Sequence, residues 1–324
     1  MREAVSAVRR RWRDRTLPAD TLTGGSDLWK RVVRDRYLLL MLLPCILFLL
    51  TFKYIPMYGA ILAFRRFDLL NPFGGDWVGL RYFEQFFSSR NAGTVIRNTF
   101  MINVWSVVFG FPAPIILALL VNEIRVRSFR KAFQVISYMP HFISVVVIAA
   151  MIHLATSPGS GFINHLLASL GFEPIYFLIE PAWFRPIYIG SGIWQEVGWS
   201  SIIYMAAIAG VSRELYEAAV VDGAGRLRQA WHVTLPGIMP AITVLFILRM
   251  GSMLSVGAEK VLLLYTPLTY DKADVLSTYL YRVGLVHANY SLATAIGLAN
   301  SVVSLILIAF VNWLAKRSTS IGIW

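Results

Sequence analysis

A stretch of 25 residues without one charged side chain, 98–122, limits what this chain can fold into. An α-helix rises about 1.5 Å per residue, so a segment of this length covers the roughly 30 Å hydrocarbon core of a bilayer. Five further apolar stretches are of similar length, and three of them contain a single charged residue. We therefore predict an all-α, polytopic membrane protein with six transmembrane helices, at residues 37–64, 98–122, 133–155, 186–210, 236–256 and 290–314.

Composition agrees with a membrane protein and argues against a nucleic-acid-binding one. The chain is 57% hydrophobic and only 15% charged, whereas a soluble protein carries nearer a quarter of charged residues. The net charge of +12 could attract nucleic acid, but the cations lie at the edges of apolar runs. Anionic lipid headgroups and the insertion machinery act on cations at those positions. We expect membrane lipid, and no nucleic acid, as a partner.

The distribution of lysine and arginine predicts the orientation. If both termini lie on one side, that side holds 19 of these residues, including ten in the basic N-terminal arm 1–36, and the other side holds nine. Cationic loops stay in the cytoplasm. The sequence thus predicts a multi-pass membrane protein with cytoplasmic termini, in which residues 37–324 form the transmembrane domain and 211–235 face the cytoplasm.

A polar, helix-prone stretch interrupts the apolar pattern between the fourth and fifth predicted spans. Arg213 to Val221 has the spacing of a short amphipathic helix, which Asp222-Gly223 ends. A second helical segment, Arg226 to Val233, leads into Leu235-Pro236, where proline suits the first turn of the next helix. Such a helix–turn–helix at a membrane face is either an ordinary loop or a surface for a soluble partner.

The spacing within this stretch resembles the EAA loop of bacterial ABC importer permeases. Glu-Ala-Ala at 217–219 is followed by Asp-Gly-Ala at 222–224 and then by Leu-Pro at 235–236. One departure is Gly225-Arg226, where related permeases have an Asn-Arg-like pair. The resemblance implies that the loop docks on an ATP-hydrolysing subunit, with Glu217 pairing with a basic residue there. The implied docking residues are Leu215, Tyr216, Glu217, Ala218, Ala219, Asp222, Gly223, Ala224, Leu235 and Pro236.

Other segments resemble the LplB-type branch of carbohydrate importer permeases. They are Arg97-Asn98-Thr99, the segments 112–119, 122–123, 138–144 and 198–204, and the final Ile323-Trp324. The resemblance implies the type I ABC importer permease fold, alternating access, and an oligosaccharide cargo that includes acidic polyuronides such as alginate. It also implies a second homologous permease subunit, two ATPase subunits and a periplasmic or extracellular solute-binding protein. ATP and magnesium would be bound by the ATPase, and this chain would carry no cofactor.

Six residues in the predicted spans are candidates for the translocation path. Glu196 and Arg249 lie deepest, and each would cost about 3 kcal/mol or more facing lipid, so they either pair with each other or line a polar path. Trp194 and Tyr204 can stack on sugar rings or pack between helices. Ser252 and Asn300, like Asn103, can touch substrate or hydrogen-bond between helices.

Catalytic and metal-binding patterns do not appear in the sequence. The five histidines lack metal-ligand spacing, and neither a phosphate-binding Gly-x-x-x-x-Gly-Lys loop nor a Gly-x-Ser-x-Gly elbow is present. We therefore expect no enzymatic activity. An ion-coupled secondary sugar transporter is the alternative, although the internal repeats typical of that class are not evident. Residues 162–185 are predicted to form an interfacial helix plus loop, and 258–289 a polar and aromatic outer loop.

Overall fold

The computed structural model describes residues 33–71, 73–253 and 256–319. Most of the basic arm predicted at residues 1–36 therefore lies outside the described residues. The chain divides into two compact units, Met1–Gly59 and Ala60–Trp324. The described residues form helices, turns and one isolated antiparallel β-bridge between Arg65 and Trp77.

The described part of the first unit, from residue 33 onward, is an apolar helical segment. Helix α1, Arg36–Leu49, runs through a π-helical turn, Leu50–Tyr54, into the short α2, Ile55–Met57. The π-helical turn, which is wider than an α-helical one, ends two residues before Pro56. The proline ring removes one backbone donor. A 3₁₀ segment, Tyr58–Phe64, completes a candidate span of 29 residues. The apolar side chains of residues 37–58 are exposed, as expected of a helix face that meets lipid, whereas Ala63 in the 3₁₀ segment is buried.

The second unit contains the remaining helices. The bundle helices before the long central helix are α3 Arg81–Phe87, α4 Arg90–Trp105, α5 Pro112–Asn122, α6 Arg127–Tyr138, α7 Val145–Thr156 and α8 Phe162–Ser169. The central helix and those after it are α9 Pro181–Ala209, α10 Arg213–Val221, α11 Arg226–Gln229, α12 Leu235–Gly237, α13 Met239–Gly251, α14 Ala258–Leu264, α15 Tyr270–Ala273, α16 Leu276–Tyr281 and α17 Tyr290–Thr319. Helices α4 and α5 join through a π-helical turn into one continuous rod, Arg90–Asn122.

Three of the six predicted spans match single helices that are long and apolar enough to cross a membrane. These are Arg36–Phe64, Arg90–Asn122 and Tyr290–Arg317. The fourth, predicted at 186–210, belongs to the 29-residue α9, which begins earlier, at Pro181. Helix α9 has the length of a span but is not among the apolar ones within the described residues, because glycine, glutamine and glutamate interrupt it. The six-span count is therefore consistent with the structure but not established by apolarity alone.

The third and fifth predicted spans are not straight helices. Residues 133–155 were expected to form one helix, but α6 and α7 meet at a 98° bend, where Pro140 lies in a 3₁₀ turn and Ser144 caps α7. Likewise, the fifth span, predicted at 236–256, bends by 63° after Gly237 and its α-helix ends at Gly251. Prolines at these bends remove backbone donors, which hydropathy alone does not register.

Residues 256–289, here called the outer segment, cover the polar and aromatic outer loop predicted at 258–289. They form α14, α15 and α16, together with a 3₁₀ turn and a π-helical turn, and they supply much of the buried core. Asn98 on α4 anchors the segment, because its Nδ2 donates to the carbonyl oxygens of Asp271 and Asp274, both at 3.0 Å. Its Oδ1 accepts from Arg185 at 2.9 Å. The neighbouring Thr99 hydroxyl accepts from the backbone of Leu276 at 2.8 Å.

Candidate functional site

A cavity of about 790 Å³ follows the central helix α9. Its lining along α9 begins at Tyr188 and ends at Tyr204, a distance of about 24 Å at the helical rise per residue. Helices α4, α5 and α13 and the start of α14 supply the other walls. The cavity therefore extends along most of a roughly 30 Å hydrocarbon thickness and is lined in part by polar and charged groups.

Glu196 lines the middle of this cavity and contacts a histidine. Both its carboxylate oxygens lie 3.2 Å from Nδ1 of His141. The His141 ring stacks on Trp199, with centroids 4.6 Å apart and planes 2° apart. His141 reaches this position because it lies in the turn at the α6–α7 bend.

The two charges predicted deepest in the spans, Glu196 and Arg249, both line the cavity. The sequence left two alternatives for these residues, a mutual ion pair or a polar path. Among the described residues they form no ion pair with each other, and Glu196 instead pairs with His141. Sequence reasoning missed His141, because 55 residues separate it from Glu196 and only the bend brings them together. A search for ligand spacing cannot detect such a pair.

A second cation, Lys260 at the start of α14, also lines the cavity. It is buried, with 9% of its surface exposed, and Nζ donates to the carbonyl oxygen of Tyr188 at 3.2 Å. The ammonium also lies over the Tyr188 ring, 5.2 Å from its centroid. Burial lowers the pKa of Lys260 to about 8, and the negative charge of Glu196 acts in the opposite direction. Sequence reasoning placed Lys260 in an outer loop and gave it no role.

Of the remaining candidates for the path, some line the cavity in the structure and others do not. Tyr204 lines the cavity at the end away from Lys260 and is buried. Trp194, 45% exposed, is not among the described lining residues. Ser252 donates to the carbonyl oxygen of Arg249 at 3.0 Å, and Asn300 lines a separate cavity of about 340 Å³ beside Gly251. The structure thus brings Glu196, Tyr204 and Arg249 to one cavity and leaves the other three outside it.

The polar stretch between α9 and α13, residues 211–237, is here called the docking segment. Its first helix, α10, has the bounds predicted, and the Ser212 hydroxyl caps it by accepting from the backbone of Glu214 at 3.2 Å. Gly223 ends the helix with φ of +73°, a conformation that glycine adopts without strain. Beyond it, α11 covers only Arg226–Gln229 of the predicted second helix, and a π-helical turn follows.

The docking segment presents an exposed surface of mixed character. Glu217, Ala218 and Asp222 are exposed, whereas Ala219, Ala224 and Leu235 are half-buried. Large apolar side chains are also uncovered, among them Leu215 at 53%, Leu227 at 84% and Trp231 at 65%. Exposed apolar groups rimmed by charge are typical of a surface that binds another protein.

Internal contacts tie the docking segment to the helices of the cavity. The Tyr216 hydroxyl lies 2.9 Å from the Thr234 hydroxyl, and Arg226 lies 3.5 Å from Glu123, directly after α5. Leu235 packs on a buried cluster that joins three cavity helices and includes Ile115, Ala118, Tyr204, Ile208 and Ile238. A displacement of the docking segment would therefore reach α5, α9 and α13 directly.

These two features define an integral membrane transport subunit, in which a cavity follows one central helix and an exposed segment begins at the end of that helix. The chain belongs to the family of binding-protein-dependent transport system inner membrane components, whose family model matches residues 110–320.

Relatives cover nearly the whole chain. Protein LplB of Bacillus subtilis (strain 168) is 42% identical over 309 residues, covering 94% of this chain and 97% of the relative. The polygalacturonan/rhamnogalacturonan transport system permease protein YteP of the same organism is 42% identical over 295 residues, with coverage of 91% and 92%.

Solved structures show the same architecture. A chain of a bacterial ABC transporter involved in the import of the acidic polysaccharide alginate superposes with a TM-score of 0.85 and 45% identity, covering 90% of this chain and 99% of that chain. A second structure of a bacterial alginate ABC transporter, in complex with an alginate pentasaccharide-bound periplasmic protein, matches with the same score and identity, at 91% and 99% coverage. The fold is therefore that of a type I ABC importer permease.

Proposed function

We propose that this chain is a membrane subunit of an ABC importer that moves an acidic oligosaccharide, such as a polyuronide fragment, into the cell. The observation that carries the proposal is that α9 lines the cavity and that the docking segment begins where α9 ends. Relatives named for polygalacturonan, rhamnogalacturonan and alginate transport support the choice of cargo.

Alternating access would operate through this connection. ATP binding closes a partner ATPase dimer, the docking segment follows it, and α5, α9 and α13 move around the cavity. Such coupling requires that the ATP-bound ATPase favour one arrangement of the helices over the other. In this scheme ATP and magnesium are bound by the partner, and this chain carries no cofactor and performs no chemical step.

The assembly contains a second homologous permease, two ATPase subunits and a solute-binding protein. The docking segment and both termini face the cytoplasm, in keeping with the excess of lysine and arginine on that side. The Tyr188 end of the cavity, which lies farther along α9 from the docking segment, then opens toward the solute-binding protein. Sugar released there meets the lysine end of the cavity first.

Reconstitution tests the proposal. The subunit is purified from its host with its partners, which are identified, and the assembly is placed in proteoliposomes with the solute-binding protein. We expect ATP-dependent uptake of a uronate oligosaccharide that is lost when residues 213–226 are deleted. Uptake driven by an ion gradient without ATP would instead establish a secondary transporter.

A further inference from the structure

The charges that line the cavity do not balance. Lys260 and Arg249 supply two cations, and Glu196 supplies one anion, which already contacts His141. Within the described residues, no carboxylate lies within ion-pair distance of either cation. A buried ammonium without an anionic partner is costly, and a ligand carboxylate offsets that cost when it binds.

The position of Lys260 fits this purpose. Its Nζ uses one of three donors on the carbonyl oxygen of Tyr188, and the tyrosine ring holds it from one side. Gly192 lies on α9, as Tyr188 does. Because it has no side chain, it leaves space beside the Lys260 ammonium, and a Cβ at Gly192 would lie 3.6 Å from Nζ. The ammonium is therefore fixed in place with donors still available for an oxygen ligand.

We infer that Lys260 is the residue by which this cavity selects carboxylate-bearing sugars over neutral ones, with Arg249 as a second cation for the same anionic chain. The inference rests on the proposed function and adds to it a specificity-determining residue. A charge-assisted hydrogen bond to a uronate carboxylate is stronger than one to a hydroxyl. Lys260 therefore favours the acidic sugar without preventing passage of a neutral one.

The test compares two sugars in the reconstituted, complete transporter. One is a uronate oligosaccharide, and the other is the same oligosaccharide with its carboxyl groups reduced to alcohols. Uptake of each is measured for the wild type and for Lys260→Met, and the ratio of acidic to reduced sugar uptake is compared between the two transporters. Because the same solute-binding protein delivers each sugar to both transporters, its own preference cancels in that comparison.

We expect Lys260→Met to lower uptake of the acidic sugar about tenfold or more relative to the reduced one, and Lys260→Arg to restore most of the difference. Lys272→Met is the matched control, because Lys272 belongs to the same outer segment but does not line the cavity. In that variant the ratio should equal that of the wild type.

A second variant tests the inference without removing the lysine. Gly192→Asp introduces a carboxylate beside the Lys260 ammonium and should pair with it, so that the preference for the acidic sugar falls as in Lys260→Met. Gly192→Asn adds the same bulk without charge and separates the two effects.

An unchanged ratio in Lys260→Met, or a fall in Gly192→Asp that Gly192→Asn matches, would overturn the inference while leaving the proposed function intact. A wild-type transporter that takes up neither sugar with ATP would overturn the proposed function itself.

Discussion

The outer segment and the docking segment both separate apolar spans, and both are polar in sequence. They differ in burial in the structure. In the outer segment Val261, Val275 and Thr278 are fully buried. In the docking segment, α10 and α11 have no buried residue. The outer segment is part of the core of the protein, whereas α10 and α11 of the docking segment lie on its surface.

This difference separates residues that maintain the fold from residues that we propose act on a partner. The contacts of Asn98 satisfy buried backbone groups of the outer segment, whose exposure to an apolar environment would be costly. The Arg226–Glu123 ion pair of the docking segment is largely exposed and contributes under about 1 kcal/mol. A change in the first region should therefore alter stability, and a change in the second should alter coupling.

The largest expected effect is on coupling and comes from Glu217→Lys. The side chain is exposed, so the substitution should leave the melting temperature unchanged. Because a lysine there would repel the basic residue proposed on the ATPase, we expect ATP-dependent uptake to fall to background. Uptake in proteoliposomes and thermal unfolding of the purified subunit measure the two quantities separately.

The matched control is Glu173→Lys, the same charge change on an exposed residue between α8 and α9. It should retain uptake. Wild-type uptake by Glu217→Lys would remove this residue from docking, and a large drop in melting temperature would show that the docking segment carries stability after all.

The converse effect, a loss of stability, is expected of Asn98→Ala, which removes the α4 side chain that anchors the outer segment. Removing the amide leaves the carbonyl oxygens of Asp271 and Asp274 and the Arg185 guanidinium without this partner. We expect a loss of about 2–4 kcal/mol in the free energy of unfolding. Thermal unfolding measures it, with Asn91→Ala, exposed on the same helix, as control. Equal stability of the two variants would contradict an anchoring role.

The same contrast explains what the sequence could predict. The all-α class follows from the apolar lengths, and the bounds of α10 follow from spacing and the glycine at 223. The buried state of residues 258–289 could not be predicted, because the groups that satisfy its polar atoms come from α4, more than 170 residues away. His141 and Lys260 were missed for the same reason: each acquires its role only where a bend or a distant helix brings it to α9.

A smaller effect on stability is expected of Tyr216→Phe. Tyr216 is among the docking residues that the resemblance implies, but its side chain is half-buried and its hydroxyl lies 2.9 Å from that of Thr234. Losing this hydrogen bond should cost about 1 kcal/mol. A double-mutant cycle with Thr234→Val should give a coupling energy of that size, measured by denaturant unfolding. A coupling energy of zero would mean that Tyr216 acts outward, as the sequence alone indicated.

The smallest effect is a pH dependence of sugar preference in the wild type. Because burial lowers the pKa of Lys260 to about 8, its charged fraction falls as pH rises, from about nine-tenths at pH 7 to about half at pH 8. The carboxylate of the sugar stays ionised over this range. The ratio of acidic to carboxyl-reduced sugar uptake should therefore fall about twofold between pH 7 and pH 8.

Other titratable and charged groups surround Lys260, so the control must keep them all. Tyr188 and Glu196 on α9 and Arg249 on α13 line the cavity with it, and Glu259 is its neighbour in the chain. His153 on α7 contacts the carbonyl oxygen of Leu263 on the same helix as Lys260. Lys260→Arg retains each of these, and its guanidinium stays charged throughout the range. We expect a flat ratio in that variant. An equal fall in the wild type and in Lys260→Arg would assign the pH dependence to one of the other groups and separate the preference for carboxylates from the charge on Lys260.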